Sequence, residues 1–169
     1  EQFDLRINKK KIVIFKQILF YYKFNLCLPH VSWFGSKACK LKDLKNIDLL
    51  RAIKNKKYPF YRVDTLFSDI KYQNVNVVSN GGWHFSNLKS IEELERKFLN
   101  DENHSEYELQ GHNIDRIREN IKNRSIDYNH NAKKDSSDRF SPTKLQFTDI
   151  DILPSYLKIN LDKYKEWID

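Results

Sequence analysis

Glycine and proline are scarce, with four of each in 169 residues. That excludes a collagen-like repeat, a glycine-rich linker and a glycine cradle for nucleotide phosphates. Only two cysteines occur, Cys27 and Cys39. They allow at most one disulfide and cannot by themselves build a cysteine zinc site, so two reduced thiols of an intracellular protein are expected. Methionine is absent even at position 1, and no charged-then-apolar leader with a small-residue cleavage site opens the chain. Such an abrupt start is expected of a fragment or a processed chain. No apolar run reaches the ~18 residues of an ordinary transmembrane helix; the longest, Ile12 to Leu28, is interrupted by Lys16, Gln17, Lys23 and Asn25.

What is present points to a packed core. Aromatic residues make up 14% and apolar residues 40%, more than a disordered chain carries. The length suits one medium domain or a piece of a larger one. The net charge is +7, but unevenly held: residues 1–80 carry 16 Lys and Arg against 6 Asp and Glu, and residues 81–169 carry 14 against 17. A basic half attracts phosphates, whether of a nucleic acid, an anionic membrane or a nucleotide donor. Joint enrichment in Lys, Asn and Ile also follows from an AT-biased genome, which raises lysine with no polyanion in view. The chain has no aromatic RNA-binding consensus, helix-turn-helix pattern or zinc finger, and no nucleic-acid partner is expected.

The β-branched and aromatic run at 12–15 predicts a strand. Residues 18–28, which alternate from Tyr22 onward, predict a second, half-buried strand ended by Pro29, while their aromatic start also suits a helix. Residues 41–57 read as helical, with Leu41 and Leu44 on a different face from Leu49, Leu50 and Ile53, which permits a break between the groups. Val75, Val77 and Val78 form a strand running into Gly81-Gly82, half of all the glycine, where a positive φ or a close backbone approach is expected. Ser90 with Glu93 makes a capping box for a helix carrying Ile91, Leu94 and Phe98. Ile114, Ile117 and Ile121 stripe a further helix that starts at Asn113. Residues 129–144 read as a polar loop, and residues 145–169 as a tail with a helix begun at Pro154, packing back on the domain.

Three clusters could carry chemistry. Gly81-Gly82-Trp83-His84-Phe85-Ser86 follows a strand and precedes the capped helix. Its glycines permit close approach of a ligand, Trp83 offers a flat stacking face, and His84 can donate, accept or ligate. The alternative is a turn plugged by a core tryptophan and a hydrogen-bonded histidine. Trp33-Phe34-Gly35-Ser36-Lys37 lies just past the aromatic strand and Pro29. Trp33 and Trp83 both stand close to glycine in post-strand turns, which suits two aromatic platforms for a carbohydrate, or plain core packing. His104-Ser105-Glu106-Tyr107 places an imidazole and a carboxylate two residues apart, an acid–base pair if a loop turns them inward, a solvated helix end otherwise. Asp149-Ile150-Asp151 has the spacing that holds a divalent cation against a sugar-nucleotide. Its place near the C-terminus, after a polar loop and before Pro154, argues against a metal role for Asp149 and Asp151.

Taken in order, these residues resemble glycosyltransferase family 17, which includes the enzyme adding the bisecting β-1,4-linked N-acetylglucosamine to N-glycan mannose. The match runs from Phe20-Tyr21-Tyr22-Lys23-Phe24-Asn25 through Trp33-Phe34-Gly35-Ser36-Lys37-Ala38 and Leu50-Arg51 to Gly81-Gly82-Trp83-His84-Phe85-Ser86. It continues with Ile91 and Lys97, then His104-Ser105-Glu106-Tyr107 and the Ile114 to Ile121 helix. The Gly-Gly-Trp-His-Phe-Ser run is its most specific part, and coverage extends from about Ile12 to Tyr128.

The resemblance implies an α/β fold of the nucleotide-diphospho-sugar transferase (GT-A-like) type, a mixed sheet with flanking helices. It is seen in part, with residues 1–128 as the carboxy-terminal portion of the domain. The acidic strand-end motif that binds metal and nucleotide would then lie before Glu1. The implied activity is inverting transfer of N-acetylglucosamine from a UDP-sugar donor to a glycan hydroxyl, with a divalent metal compatible. Glu106 is expected as the base that takes the acceptor proton, and His84 on the donor diphosphate or its metal. Trp83 and Trp33 are expected against sugar rings, with Arg51, Lys97 and His104 as further substrate contacts. The expected partner is a glycan acceptor, with peripheral membrane association compatible. The implied location is cytoplasmic or membrane-peripheral in a bacterium, the Golgi lumen in a eukaryote. A non-catalytic carbohydrate-binding remnant and a basic polyanion-binding domain are the competing readings.

Overall fold

The structure, a computed structural model, describes residues 12–100, 113–132 and 136–169. It is mixed α/β, a mixed sheet with flanking helices. Two long strands, β1 (Ile12–Tyr21) and β2 (Leu26–Cys39), are hydrogen-bonded neighbours. The chain divides into two compact units, Glu1–Gln17 with Ser32–Gly82, and Ile18–Val31 with Trp83–Asp169.

In the first unit β1 pairs in parallel with β3 (Val75–Val78), Ile12 opposite Val75 and Phe15 opposite Val78. Ile12, Val13 and Ile14 are all buried, the near-continuous apolar run of a strand covered on both faces. Ile12, Ile14, Ile53 and Val75 form its core, and Phe34, Leu50 and Tyr72 pack against them. The stretch read as one helix is split. A 3-10 turn at Leu41–Asp43 is followed by α1 (Ile47–Ala52), whose cap is Asn46, its Oδ1 accepting from the Leu49 N–H at 2.7 Å. The two apolar groups face different ways on one helical wheel, and the extended backbone of Asn46 re-aims the second.

Beyond Val78 the ladder bulges. The Gly81 N–H donates to the Lys16 carbonyl at 2.8 Å, so β1 advances one residue past Phe15 while the other strand advances three past Val78. A Cβ on Gly81 would stand 2.7 Å from the Phe15 Cβ, and Gly82 adopts a φ of +110°. Both reasons for glycine therefore operate here, close approach at one residue and a left-handed backbone at the next.

In the second unit β4 (Trp83–Ser86) pairs in parallel with Ile18–Tyr21, Trp83 opposite Ile18 and Ser86 opposite Tyr21. β7 (Gln146–Phe147) pairs antiparallel with Leu26 and Cys27. Helix α2 (Ile91–Leu99) carries the Ser90–Glu93 capping box, and α3 (Ile114–Lys122) starts at Asn113, whose Oδ1 accepts from the Asp115 and Arg116 N–H groups at 3.0 Å. Residues 129–144 hold a 3-10 turn at Ser137–Phe140 and strand β6 (Thr143–Lys144), which pairs with β5 (Ser125–Ile126). Helix α4 (Ser155–Ile159) follows Pro154. Phe20, Leu153 and Leu157 form the core, with Phe24, Phe85 and Tyr164 around them. The last residues are tied down: the Phe24 N–H donates to the Trp167 carbonyl at 2.8 Å, and the Asn25 side chain bonds both the Asp169 N–H and its carbonyl.

Three strand readings are corrected. Tyr22 to Asn25 is a turn, entered by Tyr22 at φ +64°, because Asn25 is buried and held by Asp169 instead of standing in an alternating strand. Pro29 does not end a strand, since β2 runs through it with a bend at left-handed His30; a strand tolerates the lost donor at such an irregularity. Trp33 and Trp83 lie within β2 and β4, not in post-strand turns.

Candidate functional site

The Gly-Gly-Trp-His-Phe-Ser run is a bulge followed by a strand, and strand geometry sorts its side chains. Successive residues point to opposite faces. Phe85 packs on Phe20 and Phe24, with ring centroids 5.0 and 5.2 Å apart, and Trp83 shares its face. The Trp83 indole N–H donates to the Ile152 carbonyl at 2.6 Å, which ties β4 to the segment before Pro154, and 39% of the residue stays exposed. His84 and Ser86 take the other face. The structure therefore does not bring Trp83 and His84 to a common surface.

On its own face His84 is half-buried and close enough to Lys97 for that charge to act on it. Burial first, then the Lys97 ammonium, holds its pKa below the usual histidine value, so the ring is neutral at neutral pH. Lys97, on α2, donates to the Asn87 Oδ1 at 2.7 Å. Asn87 has a left-handed backbone (φ +56°), a conformation asparagine accepts more readily than most residues. The sequence run and the capped helix thus converge on an imidazole beside an ammonium, the ammonium itself held by the Asn87 carboxamide.

The residues at the Ser86 end went unremarked as chemistry in the sequence. The Tyr21 hydroxyl lies 2.9 Å from the His130 Nε2. Tyr128 stacks edge-on against His130 at 4.7 Å, and Arg139 reaches the Tyr128 hydroxyl at 3.1 Å and lies over its ring. Burial pushes the Tyr21 phenol up to about 12, a hydrogen bond with Ser86 opposing it in part, and lowers the His130 pKa. The only sequence signal was the aromatic pair Tyr21-Tyr22; His130 and Arg139 sit in the polar stretch 129–144 and gave none. Asp127 anchors this region: Arg116 donates to both its oxygens at 2.9 and 2.7 Å, and Asn120 donates to one of them.

In the first unit, Trp33 is half-buried with its indole folded over Gly35, where a Cβ would stand 2.2 Å from Nε1. Arg51 is exposed on α1, and its carbonyl accepts from the Lys37 ammonium at 2.7 Å. In the second unit the Asp149 carboxylate accepts from the Asp151 N–H at 2.9 Å, capping the 3-10 turn Ile150–Ile152, and Asp151 is exposed. His104 and Glu106 lie outside the described residues. Among the described residues no three His, Cys, Asp or Glu side chains gather as metal ligands, and no helix is long and apolar enough to cross a membrane.

Comparison of the chain with family models, with curated proteins and with solved structures finds no match.

Proposed function

We infer that the chain serves glycosyl transfer of the inverting kind, moving N-acetylglucosamine from a UDP-sugar to a glycan hydroxyl on a GT-A-like fold. One observation carries the reading: a half-buried, neutral His84 beside the Lys97 ammonium, inside the sequence run most specific to the family it resembles. In such a reaction a base removes the acceptor O–H proton, the acceptor oxygen attacks the anomeric carbon, and the bond to the diphosphate breaks with its electron pair leaving on UDP. The departing diphosphate needs positive charge fixed in place, which Lys97 supplies. A neutral imidazole accepts a proton or a hydrogen bond where an imidazolium cannot. Glu106 is the base by the resemblance. A divalent metal, when bound, would neutralise the diphosphate further. His84 is one donor, the described residues gather no set of three around it, and no step is routed through a metal.

Transfer from labelled UDP-N-acetylglucosamine to a mannose-bearing glycan tests the proposal. Glu106→Gln and Lys97→Met should each lower turnover by about 10²-fold or more at unchanged folding. Near-normal turnover in both Glu106→Gln and His84→Ala would remove the assignment. Glycan binding without any donor turnover in the unaltered chain would favour the carbohydrate-binding reading, and it should vary little with salt.

A further inference from the structure

The segment Pro59–Phe67 of the first unit turns the usual rule of burial inside out. Phe60 and Phe67 are 87% and 91% exposed, and Tyr61, Val63 and Leu66 are 67–75% exposed. Five large apolar side chains within eight residues thus stand in solvent. Of the polar side chains in the same segment, Thr65 is buried and Arg62 and Asp64 are tied into hydrogen bonds. The Thr65 hydroxyl donates to the Arg62 carbonyl at 2.6 Å. The Gln73 carboxamide donates to Thr65 Oγ1 at 2.7 Å and reaches the carbonyls of Phe60 and Arg62 at 3.3 Å. Arg62 clamps Asp64 through two hydrogen bonds, and Lys71 adds a third. The backbone is therefore pinned from beneath, with a 3-10 turn at Val63–Thr65, and the apolar side chains are presented outward by a braced loop.

On the N-terminal side of this loop the charge has one sign, while the acids within and after it, Asp64 and Asp69, are held by Arg62 and Lys71 and by Lys45. Residues 51–62 hold five cations and no acid. Lys54, Lys56 and Lys57 are exposed, and the Lys56 ammonium and the Arg62 guanidinium both lie over the Tyr58 ring, at 5.0 and 5.7 Å. Next to them a cleft of about 540 Å³ opens between Lys57, Tyr58, Pro59 and Phe60 on one side and Gln73 and Asn74 on the other.

We propose that the Pro59–Phe67 loop is a membrane-docking surface, with Phe60 and Phe67 entering the headgroup and acyl boundary of an anionic bilayer while Lys54, Lys56 and Lys57 meet lipid phosphates. Aromatic and aliphatic side chains gain by leaving water for that boundary, and each nearby lysine adds attraction to an anionic surface. A protein partner of matching chemistry would need an acidic ring around an apolar socket. A bilayer with anionic lipid supplies both features without further design, and the long lysine stems suit it. The inference stands on the first unit alone and does not depend on the glycosyl-transfer reading.

Sedimentation of the 169-residue chain with vesicles tests it. The chain should partition strongly onto phosphatidylcholine vesicles containing phosphatidylglycerol, weakly onto phosphatidylcholine alone, and less as salt rises. The variant Phe60→Ser/Phe67→Ser should lose about ten-fold or more in partitioning, and Lys56→Glu/Lys57→Glu a similar factor on anionic vesicles only. All four positions are exposed, so both variants should keep the parent's melting curve. Failure of the unaltered chain to bind anionic vesicles would overturn the proposal without any variant. So would equal binding to neutral and anionic vesicles. A concentration-dependent dimer that Phe60→Ser/Phe67→Ser abolishes, with vesicle binding unmoved, would reassign the loop to self-association.

Discussion

The two units use the same kind of residue in opposite ways. In the second, Phe20 is fully buried and meets Phe85 and Leu153, while Phe24 lies edge-on to Phe85 and Tyr164. In the first, Phe60, Tyr61 and Phe67 stand in water above a braced backbone. Both groups are aromatic-rich runs in sequence, Phe20-Tyr21-Tyr22-Lys23-Phe24 and Tyr58-Pro59-Phe60-Tyr61. What separates them is the local chain. The first run closes a strand that finds a parallel partner in β4, and its turn at Tyr22 to Asn25 carries Phe24 back onto Phe85. The second follows Pro59, makes no ladder, and satisfies its backbone with the Gln73 side chain. Aromatic content thus predicts that a core exists but not which rings enter it.

Truncation should break this comparison most plainly. Phe20→Ala should cost about 3–5 kcal/mol in chemical denaturation, because a large buried ring leaves a cavity between Leu153 and Phe85. Phe67→Ala should stay within about 0.5 kcal/mol of the parent, as a surface change. Comparable losses in the two variants would mean that the loop is covered. Next in size is the brace of the second unit: Asp127→Ala should cost about 2 kcal/mol, since it strips charge-assisted hydrogen bonds from Arg116 and the partner of buried Asn120.

An effect of comparable size belongs to the bulge of the first unit. Gly81→Ala should destabilise by about 1–3 kcal/mol, since its Cβ would press on the Phe15 Cβ and the Lys16 nitrogen, backbone and side-chain root that cannot swing away. A neutral result would show that the ladder re-registers there.

The smallest effect is on titration. His84 and His130 both have folded pKa values below the ordinary value of about 6.5. As pH falls, the unfolded chain protonates first. Their contribution is therefore complete above about pH 6.5 and is lost progressively below it. The urea midpoint should fall between neutral pH and pH 5, more for the parent than for His130→Gln. Lys97→Gln should raise the His84 pKa without restoring it to the ordinary value, read from its ring protons by NMR, because burial and not Lys97 is the larger cause.

Local signals were legible wherever they were local in origin. The Ser90–Glu93 box, the Asn113 start and the valine strand came from neighbours in sequence, and the structure has each of them; the glycine pair marked a special backbone, though the contact that requires Gly81 comes from Phe15 and Lys16. The face of a side chain was not legible at the candidate site. Reading Trp83 and His84 as one cleft treated the run as a turn, whereas the partner strand at Ile18–Tyr21, some 65 residues away in register, makes it a strand and sends the two apart. The Tyr21–His130 pair, 109 residues apart, had no trace in the sequence for the same reason.

Composition, charge order and capping chemistry by themselves determined that this chain would be mixed α/β, with its net positive charge in its first half, its acids mostly in its second, and its helices beginning at Ser90 and Asn113. Those properties need only neighbours within a turn or two. Which rings are buried, which face His84 takes, and that five apolar side chains stay outside on the Pro59–Phe67 loop were decided by tertiary structure. Each depends on a strand partner or a bracing side chain supplied from elsewhere in the chain, and no local preference encodes that choice.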